Sequence, residues 1–227
     1  MSQRLKRVSV VGVLVLVGIA AFVLGSMPYL PVVHGSDADE VEYLVEWLGI
    51  ESGAHVADLG AGDGRFAMAL AERVGSSGQV YATEISTERL DEMRGAAAEA
   101  GLANVSVIEG GVSSTGLPDA CCDAIFSRNV YHHLTEPAAI NRDIRRALRQ
   151  GGRLLVIDFE PGGPMDRLCP SDTDERRGGH GTPTATLIDE VTAAGFHLMR
   201  GPEPWRGRMY AVMFEAQNGP DRDDGRR

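Results

Sequence analysis

Residues 56–64 read VADLGAGDG: a short apolar run, then three glycines interleaved with acids, Asp58 before the turn and Asp63 inside it. A strand that enters such a turn and leaves it as a helix offers backbone N–H groups to a ligand, and the glycines let that ligand approach the chain closely. The spacing narrows the ligand. A dinucleotide fingerprint, G-x-G-x-x-G, needs a third glycine five places after the first. Counted from Gly60 that place is Arg65, and the third glycine, Gly64, comes one place early. Pyrophosphate is anionic and is poorly served by two neighbouring carboxylates. Asp58 and Asp63 suit a ligand that carries an ammonium or a sulfonium.

A second acid extends the argument. Glu84 ends the apolar stretch VYATE, 24 residues beyond Gly60. An acid at the end of the second strand of such a unit accepts hydrogen bonds from ribose hydroxyls. Ribose, a positive centre and no phosphate together describe S-adenosylmethionine.

The elements that must position these residues follow from hydrophobic periodicity and turn chemistry. A helix is expected from Asp37 to Leu48, with Ser36 as its cap, and a strand over His55–Leu59. A helix over Asp63–Val74 follows, then a strand over Gln79–Glu84. Ser86 caps a helix to Ala100, with Gly101 as the left-handed residue after it, and Val105–Glu109 is a third strand. Asp123–Arg128 is a fourth strand. A helix then runs from Pro137 to Arg149, stopped by Gly151-Gly152, and Arg153–Phe159 is a fifth strand. Residues 160–181 form a long Gly/Pro-rich loop. A helix over Pro183–Ala194 and two strands, Phe196–Arg200 and Met209–Ala216, complete the pattern, the last two pairing antiparallel. Alternating strands and helices give a doubly wound, mostly parallel, seven-stranded sheet of Rossmann-like type with an antiparallel last strand. Ligands of such α/β sheets sit at the carboxyl ends of the strands, where the singled-out residues lie.

Four segments together resemble the class I S-adenosylmethionine-dependent methyltransferases: DLGAGDG at 58–64, YATEIS at 81–86, EGGVSSTGLPDACCDAIFSRNVYHHL at 109–134, and LRQGGRLLVIDF at 148–159. The stretch from Val56 to Asp158 is most similar to the small-molecule group that includes the quinone-biosynthesis and arsenite methyltransferases. The resemblance implies that Gly60, Ala61 and Gly62 pass close to the methionine moiety, that Glu84 takes the ribose hydroxyls, and that Ile85 packs on adenine. Gly111 stands where the family usually carries an aspartate that touches the adenine amino group. Backbone groups at Gly111 and Val112 are then expected to hold the base. Asn129 lies where the family has a residue near the methionine carboxylate or the transferred methyl.

Methyl transfer is an in-line displacement that needs alignment of the nucleophile and exclusion of water. A base is needed only where the acceptor must lose a proton. Tyr131, His132 and His133 follow the fourth strand and can face the pocket; the competing role is capping or packing against the next helix. His180, in RRGGHGT, is a further candidate base if its glycines shape a turn rather than a flexible surface loop. Asp158 and Glu160 either touch the acceptor or cap the loop, and Arg176 and Arg177 are read as solvated. The expected function is methyl transfer to a small-molecule or lipid-like acceptor. The alternatives are a non-catalytic S-adenosylmethionine-binding module and a nicotinamide-dependent oxidoreductase. The sequence names neither the acceptor atom nor the oligomeric state.

Composition bounds the rest. With 22 basic and 32 acidic residues the formal charge is −10, which argues against a nucleic-acid partner. Cys121, Cys122 and Cys169 have no metal-ligand spacing, so no metal is expected, and the adjacent pair is read as unbridged thiols. Residues 1–7 are basic and residues 8–27 form an apolar stretch of about 20 residues, long enough to span a bilayer. An uncleaved anchor is expected rather than a signal peptide, with residues 28–36 as linker, 37–216 as the methyltransferase domain and 217–227 as a polar, disordered tail. The flanking charges put the domain outside the cytoplasm, where the cofactor is not made; the side is left open.

Overall fold

The computed structural model describes residues 37–161 and 181–217. The apolar stretch at 8–27, the loop residues 162–180 with His180, and most of the polar tail lie outside the described residues. No described helix is long and apolar enough to cross a membrane.

The elements are α1 (Asp37–Leu48), β1 (His55–Leu59), α2 (Arg65–Val74), β2 (Gln79–Glu84), α3 (Thr87–Glu99), β3 (Val105–Glu109), β4 (Cys122–Arg128), a 3₁₀ turn (Tyr131–His133), α4 (Pro137–Ala147), β5 (Leu148–Phe159), α5 (Thr184–Ala193), β6 (Phe196–Pro204) and β7 (Met209–Ala216). The sheet order is β3-β2-β1-β4-β5-β7-β6. Strands β1 to β5 are parallel to one another. Strand β7 runs antiparallel to both β5 and β6.

Both faces of this sheet are covered, and the strand pattern says how. Along β4, Ala124 and Phe126 face one apolar layer and Ile125 the other. Along β5, Leu155 and Ile157 face the first layer, Leu154 and Val156 the second. Near-continuous apolar runs are what a parallel sheet buried on both faces requires. Leu154, Leu155, Val156 and Ile157 are essentially inaccessible, and each contributes about 1.5–3 kcal/mol on burial. The first layer is closed by α1, α2 and α3, the second by α4 and α5.

Several boundaries differ from the sequence reading, the largest for local reasons. Helix α2 starts at Arg65, not Asp63, because Gly64 at its N-terminus is left-handed, with φ 76°. Helix α4 ends at Ala147, and β5 already begins at Leu148, which pairs with Cys122; a register shift then absorbs Arg149–Gly152 before Arg153 pairs with Ala124. Strand β6 continues past Gly201-Pro202 because, after a second register shift, Glu203 pairs with Ala211. The reading of unbridged thiols is also corrected. The sulfurs of Cys121 and Cys122 are bonded, both side chains turning into the same apolar layer at the head of β4.

Candidate functional site

Strands β1 and β4 are adjacent, but the chain leaves β1 toward β2 and β3 on one side and continues through β4 and β5 on the other. Such a switch point leaves a crevice at the carboxyl ends of the strands. A cleft of about 620 Å³ opens there, joined to a recess of about 190 Å³. Gly60, Gly62, Arg89, Arg128 and Asn129 line both.

The turn after β1 is shaped by close packing. Gly60 has φ 71°, and a Cβ there would lie 2.5 Å from Val130 Cγ2, so the turn and the chain leaving β4 touch. The Ala61 N–H donates to the Thr83 carbonyl at 2.8 Å, which ties the turn to β2. The third glycine does permit close helix packing, although it comes early in the motif: a Cβ on Gly64 would lie 2.7 Å from Met93 Cγ of α3.

Glu84 is locked from the same side. Its Oε2 accepts from the Gly62 N–H at 3.0 Å, and its Oε1 accepts from the N–H groups of Ile85 and Ser86 at 2.8 and 3.2 Å. Both lone-pair sites of Oε1 are filled, and Oε2, with one donor, keeps capacity for a ligand hydroxyl. Ile85 and Val112 line the larger cleft with 68% and 61% of their surface exposed, two apolar side chains suited to a flat base. Gly111 lines it too, but its N–H donates to the Ser114 carbonyl at 2.7 Å. The Gly111 N–H is therefore engaged within its own loop, leaving its carbonyl and Val112 at the cleft.

The recess is electrostatically unusual. Asp58, Ala61 and Asp63 line it. Asp58 is buried and its Oδ2 has no hydrogen-bond partner. Burial pushes its carboxyl up to about 8 from an ordinary 3.8; Asp63 and Glu84 push the same way, and Arg128 and Arg65 oppose them. Asn129, left-handed at φ 59°, also has a buried Oδ1 without a partner. Two unsatisfied acceptors in one recess suit an ammonium, which brings three N–H donors.

The three aromatic candidates after β4 separate. They share one 3₁₀ turn, whose three residues per turn send successive side chains in different directions. His133 lines the larger cleft. Neither Tyr131 nor His132 is among the residues that line it. The Tyr131 hydroxyl is hydrogen-bonded to Glu190 Oε2 at 2.9 Å and accepts from Asn141 Nδ2 at 2.8 Å. His132 is buried; its N–H donates to Asp158 Oδ2 at 2.8 Å, and its Nδ1 lies 2.6 Å from Asp158 Oδ1. Asp158 also accepts from the Phe159 N–H and from Thr182 Oγ1, so it anchors this corner. Glu160 accepts from the Thr184 N–H and caps α5. His180 falls outside the described residues. Among the described residues no cluster of metal ligands occurs.

Sequence reasoning missed Arg128 and Arg89. Arg128 ends β4 immediately before Asn129, and a charged residue at a parallel strand's carboxyl end was the available signal. Arg89 sits over the glycine turn from α3, where a Cβ on Gly62 would meet its Nη1 at 3.2 Å; nothing local in sequence marks that contact.

Residues 50–191 match the profile of a family described as a methyltransferase domain. The chain is 29% identical over 133 residues to the ubiquinone/menaquinone biosynthesis C-methyltransferase UbiE of Pseudomonas putida, covering 58% of this chain and 51% of that protein. It is 29% identical over 119 residues to the 2-phytyl-1,4-naphtoquinone methyltransferase of Trichormus variabilis, covering 52% of each. The chain thus spans about half the length of these relatives. Its fold is shared with a SAM-dependent methyltransferase from Aquifex aeolicus, at TM-score 0.65 and 23% identity, covering 78% of this chain and 90% of that one. A glycine turn without a dinucleotide fingerprint, an acid locked to it from β2, and a match over the greater part of the chain lead to one assignment: this protein belongs to the methyltransferase-domain family, within the class I S-adenosylmethionine-dependent methyltransferases.

Proposed function

We propose that this protein methylates a small, apolar, quinone-like acceptor at the expense of S-adenosylmethionine. The cofactor fits the residues present. Glu84 would hold the ribose, Ile85 and Val112 the base, and the unsatisfied oxygens of Asp58 and Asn129 the ammonium. When bound, the cofactor supplies a methyl carbon already activated by its sulfonium.

The observation that carries the acceptor reading is the apolar part of the cleft lining. Val130, Leu134 and Ile140 line it, together with His133 and Thr135. Apolar walls exclude water and orient a flat, greasy ring, and His133 is the histidine in the lining. A ring nitrogen of His133 would take the proton that a quinol hydroxyl or ring carbon gives up as it is methylated. One relative is named for quinone biosynthesis and another as a naphtoquinone methyltransferase, which supports the same class. The apolar stretch at 8–27 supports a membrane-tethered enzyme that meets a lipid-like acceptor at the bilayer surface.

The test is transfer of labelled methyl from S-adenosylmethionine by the full-length protein in detergent or liposomes. The acceptors are short-chain and long-chain quinols beside hydrophilic catechols. Labelled product from quinols above catechols is expected. Cofactor binding with no product from any acceptor would convert the assignment to a binding protein, and equal rates on both classes would remove the apolar-acceptor claim.

A further inference from the structure

Helix α1 lies outside the part of the chain that holds the glycine turn, yet it sends one carboxylate into the core beside the recess. Glu40 is 2% exposed. It accepts from Arg128 Nε at 2.6 Å and Arg128 Nη2 at 3.1 Å, a two-point grip. It also accepts from Trp205 Nε1 at 2.7 Å and Arg206 Nη1 at 3.4 Å. A buried carboxylate so heavily coordinated fixes the guanidinium it holds. The Arg128 group also stands against the Phe66 ring, 5.1 Å from its centroid.

What this leaves is informative. Nε and Nη2 of Arg128 are taken, and Nη1 has no protein partner among the described residues. Arg128 lines the same recess as the partnerless oxygens of Asp58 and Asn129. The recess therefore offers acceptors on one side and a half-satisfied cation on the other, which is the complement of an α-amino acid. The other arginines are less suited. Arg65 is exposed and paired with Asp63 at 3.0 Å, and Arg89 is exposed.

We propose that Arg128 binds the α-carboxylate of the cofactor through Nη1 and that Glu40 of α1 is the positioning residue that holds its guanidinium for this task. The inference rests on the cofactor reading above. It makes α1 part of the cofactor site, so that the element nearest the apolar N-terminal stretch sets affinity for one end of the ligand only. Adenosine contacts are left to Glu84, Ile85 and Val112.

The experiment is calorimetric titration of the full-length protein in detergent with two ligands, S-adenosylhomocysteine and 5′-methylthioadenosine. Both carry the adenosine; only the first carries the amino-acid end. Arg128→Met is expected to weaken S-adenosylhomocysteine about tenfold or more and Glu40→Gln severalfold, as loss of a charge-assisted hydrogen bond implies. Methylthioadenosine should bind all variants within about twofold of the parent. Arg128→Lys keeps the charge but cannot be gripped at two points, so it should share the selective loss and serves if Glu40→Gln fails to fold. Parallel loss for both ligands means that Glu40 and Arg128 are merely structural, and the proposal falls. Unchanged affinity for S-adenosylhomocysteine also overturns it. A parent protein that binds neither ligand removes the cofactor reading itself, an outcome distinct from the other two.

Discussion

Glu84 and Gly62 are joined by a 3.0 Å hydrogen bond from the Gly62 N–H to the Glu84 carboxylate, so the acid that ends β2 and the turn that follows β1 form one rigid unit. The same carboxylate takes the N–H groups of Ile85 and Ser86. The carboxylate is thus fixed before any ligand arrives, and its geometry depends on three backbone donors converging on one side chain.

Glu84→Ala removes the ribose acceptor and leaves those three donors without their partner. S-Adenosylhomocysteine affinity should fall by about 10–100-fold, the range expected for lost hydrogen bonds to a charged group. Glu84→Gln keeps acceptor oxygen on one arm only and should fall between. Calorimetry on both variants checks the order, and equal affinity for the alanine variant and the parent would remove Glu84 from the site.

Asp58 makes the protein pH-sensitive. Its folded-state carboxyl is raised to about 8 from 3.8, so between those values the folded protein holds a proton that the unfolded chain has lost. Stability of the ligand-free protein therefore declines as pH rises from about 4 toward 8. Asp58→Asn should flatten that decline in thermal melts across pH 5–8. A cationic ligand favours the ionised carboxylate, so binding at pH 7 should release close to one proton. Titrations in buffers of different ionisation enthalpy measure this directly, and no proton release at pH 7 would sink the idea.

Most of the sheet and the turn were legible because local signals agreed with the fold. His55–Leu59, Gln79–Glu84, Val105–Glu109 and Met209–Ala216 are apolar runs bounded by turn residues, and the structure reproduces them at those limits. Gly60 and Glu84 were readable because both sit at strand ends at a fixed spacing. The bulge at Cys122–Leu148 was not, because it is a property of strand pairing rather than of either segment. Nothing local in sequence marks Glu40, because its burial against Arg128, 88 residues away, is purely tertiary. Tyr131, His132 and His133 could not be told apart in sequence; a single 3₁₀ turn separates them.

Gly60 should not tolerate a methyl. Its φ of 71° costs an alanine about 1–2 kcal/mol, and the new Cβ would lie 2.5 Å from Val130 Cγ2. Gly60→Ala should therefore destabilise the protein and weaken S-adenosylhomocysteine. Pairing it with Val130→Ala removes the contacts at 2.5 and 3.0 Å but leaves Val130 Cβ at 3.3 Å and the backbone strain, so only part of the stability should return. Chemical denaturation of the two single variants and the double variant gives the coupling; strict additivity would mean that the two residues do not touch.

The two adjacent histidines should fail in different ways. His133 lines the cleft, so His133→Ala should lower turnover of a proton-losing acceptor by about 10²-fold or more, with S-adenosylhomocysteine affinity and melting temperature near those of the parent. His132 is buried against Asp158, 2.6 Å from ring nitrogen to carboxylate, so His132→Ala leaves a buried acid without one of its donors. Its main effect should be a lower melting temperature. The two rings are in contact, tilted by 44° with centroids 4.0 Å apart, so some turnover is lost in His132→Ala through a displaced His133. A pH–rate profile separates the cases. The parent and His132→Ala should keep the ascending limb of a histidine base, and His133→Ala should lose it. If His133→Ala keeps both the rate and the limb, the proton leaves by another route and His133 only shapes the wall.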